Sequence, residues 1–207
     1  MPTANILIAF YSRNGTTEKL ALAVAEGAQS EGAEVRLRRA RDIVSADVMA
    51  KAPGWAENAA RMDAAHPPPT DADADWADGI IFGTPTRFGN VCAELKAYID
   101  SLGGLWFQGK LNNKAGAAFT STSTPHGGNE STIISLYHPM AHLGLVIVPL
   151  GYLNPVVFRA STPYGASSIS GQTSTPPTED DLEGARFQGR RVAQVAAALK
   201  SLRQGAH

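Results

Sequence analysis

Cysteine is almost missing from this 207-residue sequence, which contains only Cys92 and therefore excludes a disulfide bond within the chain. A single cysteine is typical of proteins kept in a reducing compartment, so we expect a cytoplasmic protein. We expect Cys92 to be a small, packed side chain rather than a reactive thiol.

Charge is also scarce, since charged residues make up 18% of the chain and the formal net charge is -1. The net charge therefore gives no electrostatic indication of binding to nucleic acid or to an anionic membrane. Residues 1–5 carry no basic signal-peptide start, and no apolar run is long enough to span a membrane.

Several nucleotide and metal motifs are absent as well. No G-x-G-x-x-G is present, so we expect no separate dinucleotide-binding domain. His138 and His142 have the spacing of two ligands on one helix face, but no third ligand is evident, and we predict no metal site. The run Asp71, Asp73 and Asp75 lacks the glycine and glutamate of an EF-hand loop, and we interpret it as solvated.

Apolar runs alternate with helical patterns along the whole chain. The pattern predicts one domain over residues 1–207, an α/β flavodoxin-like fold with a doubly wound, five-stranded parallel sheet in the order 2-1-3-4-5. The predicted strands lie at 5–11, 33–40, 79–83, 115–121 and 145–152, and the predicted helices at 17–30, 94–102, 131–142 and 179–202.

Two connections are unusually long. Residues 42–75 contain Pro53 and three consecutive prolines from Pro67, and residues 151–178 are rich in Gly, Ser, Thr and Pro. We expect both to be walls of a site or subunit contacts, with a disordered excursion as the alternative.

The loop after the first strand, Ser12–Thr17, combines hydroxyls, an amide and a glycine just before a helix. A helix start offers free N–H groups and a positive dipole end, so the loop suits the terminal phosphate of a monoester. It lacks the Gly-Lys-Ser/Thr of a P-loop, which argues against a triphosphate. The alternative is plain N-capping by Asn14 or Thr16.

The loops after the third and fourth strands are polar too. Residues 84–90 (TPTRFGN) could lie beside a flat heterocycle, and residues 121–132 are dense in hydroxyls and glycine. Each could instead be a solvated turn. Because the carboxyl ends of parallel strands share one edge of the sheet, we expect the three loops to meet around one ligand.

Seven motifs in order, SRNGTT, IIFGTPTRFGN, GGLW, the Ser/Thr/Gly loop, AHLGLVIVPLGY, TPYGAS and ARFQGRRVA, closely resemble the flavodoxin-like NAD(P)H:quinone oxidoreductases of the WrbA type. The resemblance implies noncovalent FMN, two-electron reduction of quinones to hydroquinones by NADH or NADPH, and a homotetramer. It also implies that Trp106 contacts the substrate. The FMN-binding residues it implies are Ser12, Arg13, Asn14, Gly15, Thr16, Thr17, Pro85, Thr86, Arg87, Phe88, Gly89, Asn90, Ser121, Thr122, Ser123, Thr124, Pro125, His126, Gly127 and His142.

The sequence departs from the family pattern in two places. Asn14 stands where the family often has an aromatic residue that contacts the nicotinamide, and this leaves the strength of dinucleotide binding open. Pro125 and His126 stand where glycines are usual, so residues 125–127 can be aligned with the family pattern in two ways that differ by one position.

Two other functions remain as alternatives. A flavodoxin-type electron carrier is disfavoured because carriers of that kind are usually strongly acidic. A catalytically idle FMN-binding scaffold is suggested only by Asn14. The natural quinone and the choice between NADH and NADPH stay open.

Overall fold

The computed structural model describes residues 3–171 and 173–204, which form one parallel sheet covered by helices on both faces. The strands are β1 (Asn5–Phe10), β2 (Glu34–Arg39), β3 (Gly79–Pro85), β4 (Ala115–Thr122), β5 (Val146–Ile147) and β6 (Ser167–Ile169). The helices are α1 (Thr16–Ser30), α2 (Ala46–Met49), α3 (Trp55–Ala65), α4 (Asp71–Trp76), α5 (Ala93–Ser101), α6 (Gly103–Phe107), α7 (Asn129–His142) and α8 (Glu179–Gln204), with a 3₁₀ turn at Pro155–Phe158.

The strand order is β2-β1-β3-β4-β5, with all neighbours parallel, which confirms the predicted fold and order. The last predicted strand, 145–152, is much shorter than expected, because β5 pairs only with Ala115 and Gly116 of β4. Pro149 follows, and a proline cannot donate to a sheet ladder. The chain leaves the sheet after β5 and returns as β6, which pairs with the other end of β4 at Thr120–Thr122. The sheet edge is thus shared by two short strands rather than one.

Two hydrophobic layers cover the sheet. Ile6, Ile8 and Phe10 pack with α1 and α8 on one face, whereas Leu7 and Ala9 pack with α4, α5 and α7 on the other. This separation follows from the period of two along a strand, which sends successive side chains to opposite faces.

Helices α1 and α8 approach each other very closely. A Cβ added at Gly27 of α1 would lie 1.9 Å from the Arg186 carbonyl oxygen, and one at Gly189 of α8 would lie 2.0 Å from the Val24 carbonyl oxygen. Both positions therefore require glycine, and the crossing fixes α8 against the helix whose amino end borders the first loop.

The long connection from residue 42 to residue 75 is ordered, so the disordered alternative is wrong. It contains α2, α3 and α4. The expected solvated aspartate run is wrong for Asp73, which is buried and accepts hydrogen bonds from Arg36 and Arg38 of β2. Thr70 and Asp73 also form a capping box that starts α4.

In the part of the chain that the structure describes, no helix is long and apolar enough to cross a membrane. Over the same residues, no three His, Cys, Asp or Glu side chains are grouped so that they could hold a metal ion.

Candidate functional site

The loops after β1, β3 and β4 meet at the carboxyl edge of the sheet, as the topology predicts. They enclose an open cavity of about 210 Å³. The residues lining this cavity are Ser12, Arg13, Asn14, Thr16, Thr17, Pro85, Thr86, Arg87, Ser121, Thr122, Ser123, Ser170 and Ser174.

The first loop presents the amino end of α1 to the cavity. Gly15 is the N-cap residue, with φ of 93°, and no side chain caps the helix. The alternative of capping by Asn14 or Thr16 is therefore wrong, and the first N–H groups of α1 have no side-chain acceptor. Only glycine adopts this φ without strain, and this conformation turns the chain into the helix. The Gly15 N–H itself donates to Ser12 Oγ at 3.0 Å.

The second loop is built around the Thr86 hydroxyl. This hydroxyl accepts hydrogen bonds from the Gly89 N–H and from Thr132 Oγ1, and it donates to the Gly127 carbonyl at 3.2 Å. The backbones of Arg87 and Asn90 pair with each other, which closes a tight turn. Pro85, Thr86 and Arg87 line the cavity, whereas Phe88, Gly89 and Asn90 form the turn beyond the lining residues.

Phe88 is the most conspicuous side chain of that turn. Its φ is 53° and its ring is fully exposed. A bulky residue in the left-handed region costs free energy, and an exposed ring recovers none of it by burial. The turn thus holds an aromatic side chain in solvent, one residue beyond the cavity-lining Arg87.

Only the first half of the third loop lines the cavity. Ser121, Thr122 and Ser123 line the cavity. The predicted residues Thr124, Pro125 and His126 are exposed and lie outside the lining, and the Gly127 carbonyl supports Thr86. Ser121 Oγ lies 2.9 Å from Thr17 Oγ1, so a hydrogen bond joins the first loop to the third.

Two lining residues were not predicted. Ser170 and Ser174 follow β6, and the Ser170 backbone N–H donates to the Thr122 carbonyl at 2.7 Å. Ser174 Oγ accepts a hydrogen bond from Asn14 Nδ2 at 3.2 Å. The polar composition of residues 151–178 had indicated a site wall but named no residue.

Trp106 and His142 do not lie at this cavity within one chain. Helix α6, which carries Trp106, leads to the amino end of β4, where Lys110 pairs with Asp75 just before β3. His142 ends α7 at the same end, since the Asn113 N–H donates to the Gly144 carbonyl. The eight residues of β4 therefore separate the amino ends of the strands from their carboxyl ends, where the cavity lies, by roughly 25 Å. Trp106 lies in the short helix α6, and its side chain is exposed.

Cys92 is fully buried, and burial raises the pKa of its thiol to about 11. The thiolate is therefore scarce at neutral pH, which confirms that Cys92 is a packed residue.

The charge of the cavity is positive. Among residues 3–171 and 173–204, Arg13 and Arg87 line it, and no carboxylate does. Two acidic side chains close to the first loop have partners of their own: Glu18 pairs with Arg61 and His66, and Asp42 pairs with Arg39. Burial raises the pKa of each carboxyl, but hydrogen bonds outweigh burial and hold the pKa below its usual range. These bonds come from Arg61 and His66 to Glu18, and from Tyr11, Arg39 and Trp55 to Asp42. Two arginines, several hydroxyls and an uncapped helix end fit the phosphate monoester of FMN.

Comparison with known proteins agrees with this geometry. A family model described as NADPH-dependent FMN reductase matches residues 5–155. A protein of Methylocella silvestris named NAD(P)H dehydrogenase (quinone) is 44% identical over 95% of this chain and 99% of its own. A protein of Geotalea uraniireducens with the same name is 46% identical over 94% of this chain and 98% of its own.

Solved structures agree as well. A WrbA-like flavodoxin protein from Agrobacterium tumefaciens superposes with a TM-score of 0.67 at 29% identity, over 96% of this chain and 100% of its own. A flavodoxin from Archaea gives a TM-score of 0.61 at 17% identity over 93% and 98% of the two chains, a similarity of fold alone. Because the family model matches residues 5–155 and the relatives match nearly the whole chain, this chain belongs to the NADPH-dependent FMN reductase family.

Proposed function

We propose that this protein is an FMN-dependent NAD(P)H:quinone oxidoreductase. The single observation that carries the proposal is identity of 44–46% along nearly the whole chain to proteins named NAD(P)H dehydrogenase (quinone). The cavity supports it, because its donors suit the FMN phosphate and its position is where this fold binds ligands.

The chain contributes binding and orientation rather than a nucleophile. Bound FMN would supply the redox chemistry, which is two-electron transfer from NAD(P)H to a quinone, with the two protons of the hydroquinone coming from the hydride donor and from solvent. The first loop would hold the phosphate of FMN, and the turn held by Thr86 would border its ring system. Arg87 supplies positive charge near that ring and favours negative charge there.

One site serves both substrates in this proposal. No G-x-G-x-x-G is present in the sequence, so the nicotinamide and the quinone would use the same open face in turn. Oxidised dinucleotide must then leave before quinone binds, which gives ping-pong kinetics.

We also propose a homotetramer in the cytoplasm. Trp106 and Phe107 project apolar rings from α6, and the rings of Tyr152 and Phe158 are exposed together with centroids 5.0 Å apart. Exposed aromatic clusters of this kind suit contacts between subunits. In such an assembly Trp106 and His142 would approach the cavity of a neighbouring copy, which would reconcile their expected roles with their place in one chain.

The test is an anaerobic two-step titration. The FMN-loaded protein is mixed with NADH or NADPH while the visible flavin absorption band is recorded, and benzoquinone is then added. The proposal expects the band to bleach and return, with one quinone consumed per nicotinamide. Bound FMN that never bleaches would overturn the oxidoreductase and favour an electron carrier or scaffold. Absence of FMN binding would overturn all three functions.

A further inference from the structure

Arg13 differs from the arginines around it. Arg36, Arg38, Arg39, Arg41 and Arg61 each pair with a carboxylate. Among residues 3–171 and 173–204, the Arg13 guanidinium has neither a carboxylate partner nor a hydrogen bond to protein, yet it lines the cavity. Its charge is therefore available to a ligand.

The face of this guanidinium rests on Trp55, the first residue of α3. The Arg13 Cζ atom lies 3.7 Å from the centroid of the Trp55 ring. Stacking of this kind occupies the flat face of the group and leaves the N–H donors around its edge free for an anion. The ring thus orients the cation without consuming its hydrogen-bonding capacity.

Trp55 is itself held rigidly. Its ring is buried, and its indole Nε1–H donates to Asp42 Oδ1 at 2.7 Å. The same carboxyl accepts from Tyr11 Oη at 2.6 Å and from the guanidinium of Arg39 at 2.7 Å. Arg39 also donates to the Ser12 carbonyl at 3.1 Å. The support beneath Arg13 and the backbone of the first loop are therefore one connected network.

We propose that Trp55 is a positioning residue that holds Arg13 against the phosphate of FMN, so that the segment 42–75 forms part of the cofactor site. The inference deepens the proposed function and rests on it. The hydroxyls and backbone N–H groups of the first loop are neutral, whereas a phosphate monoester carries up to two negative charges. Arg13 supplies the missing positive charge, and Trp55 restricts it to the orientation that faces the phosphate.

Riboflavin provides the test, because it has the ring system of FMN and no phosphate. Dissociation constants of both flavins for the apoprotein are measured by quenching of flavin fluorescence. For Arg13→Gln we expect FMN affinity to fall about tenfold and riboflavin affinity to stay constant. Lys19→Gln is the matched control, since it removes the same charge from an exposed position on α1 and should change the FMN-to-riboflavin ratio little.

Variants of Trp55 test the positioning role. Trp55→Leu should lower the FMN-to-riboflavin affinity ratio several-fold, and Trp55→Phe should recover most of it, because an aromatic face remains. In the Trp55→Leu background, Arg13→Gln should have a smaller effect than in the unsubstituted protein, since residues that act together are not additive.

Three results would overturn the inference. Equal loss of both flavins in Arg13→Gln and Trp55→Leu would make the pair structural. An unchanged FMN-to-riboflavin affinity ratio in Arg13→Gln, together with a KM that is raised for NADPH but not for NADH, would assign Arg13 to the dinucleotide phosphate. Full additivity of the two substitutions would remove the role of Trp55. Failure of the unsubstituted protein to bind FMN would instead overturn the proposed function.

Discussion

The hydroxyl of Thr17 shows how one atom joins two segments of the site. It lies at the start of α1 and 2.9 Å from the Ser121 hydroxyl at the end of β4. Both side chains are buried and both line the cavity. A ligand phosphate bound there would meet two hydroxyls already fixed by each other, which lowers the entropy cost of binding.

Replacing this hydroxyl by a methyl group tests the first loop. We expect Thr17→Val to weaken FMN binding by about 1 kcal/mol or more, because a hydrogen bond to a charged phosphate is lost and Ser121 loses its partner. Thr17→Ser should retain most of the affinity. Titration of the apoprotein with FMN measures the change, and unchanged affinity in Thr17→Val would remove the phosphate role from this loop.

At the scale of elements, several ion pairs attach the segment 42–75 to the rest of the domain, in addition to the buried apolar side chains of α3. Helix α4 is fastened by Asp73, which bridges Arg36 and Arg38 of β2. Helix α3 is fastened by Arg61 to Glu18 of α1. Buried ion pairs add little net stability when intact, but removal of one partner leaves the other charge uncompensated.

Two aspartates on α4 form a matched pair for testing this attachment. We expect Asp73→Asn to lower the free energy of unfolding by about 2–3 kcal/mol, because two arginines lose their partner. Asp71→Asn makes the same charge change on the exposed side of the same helix and should cost about 0.5 kcal/mol or less. Urea unfolding near pH 7 measures both, and equal effects would contradict a special role for Asp73.

The attachment should also depend on pH. Burial raises the pKa of Asp73, but hydrogen bonds from Arg38, Thr70 and Arg36 outweigh burial and lower it below the ordinary value. A lowered folded-state pKa means that the stabilisation is present above about pH 4 and is lost as pH falls through the folded-state pKa. The stability difference between Asp73→Asn and the unsubstituted protein should therefore shrink below about pH 4. A difference that stays constant to pH 2 would contradict this linkage.

For the whole molecule, the separation of Trp106 from the cavity makes assembly part of the proposed function. If four copies complete one another's sites, Trp106→Ala should raise the KM for quinone severalfold without changing FMN affinity. Leu202→Ala, another exposed apolar residue, should leave both unchanged. Light scattering reports the assembly, and a monomer that has full quinone activity would contradict the tetramer.

Local sequence patterns predicted some features of the fold and gave no indication of others. Helix α3 buries Trp55, Ala59 and Met62, a spacing typical of a helix face. The prolines on either side obscured that pattern, so no helix was predicted within residues 42–75. The brief pairing of β5 was unpredictable because apolar residues continue beyond Ile147 and only the neighbouring strand decides where pairing stops.

The sequence by itself determined the alternation of strands and helices, the strand order and the three polar loops, because apolar periodicity and turn residues act over short distances along the chain. Tertiary structure alone decided which side chains converge. Thr17 meets Ser121 across 104 residues, and Asn14 meets Ser174 across 160. Packing also set Arg13 on Trp55 and placed Trp106 and His142 at the far edge of the sheet. Such contacts depend on how whole layers stack, and no local propensity encodes that.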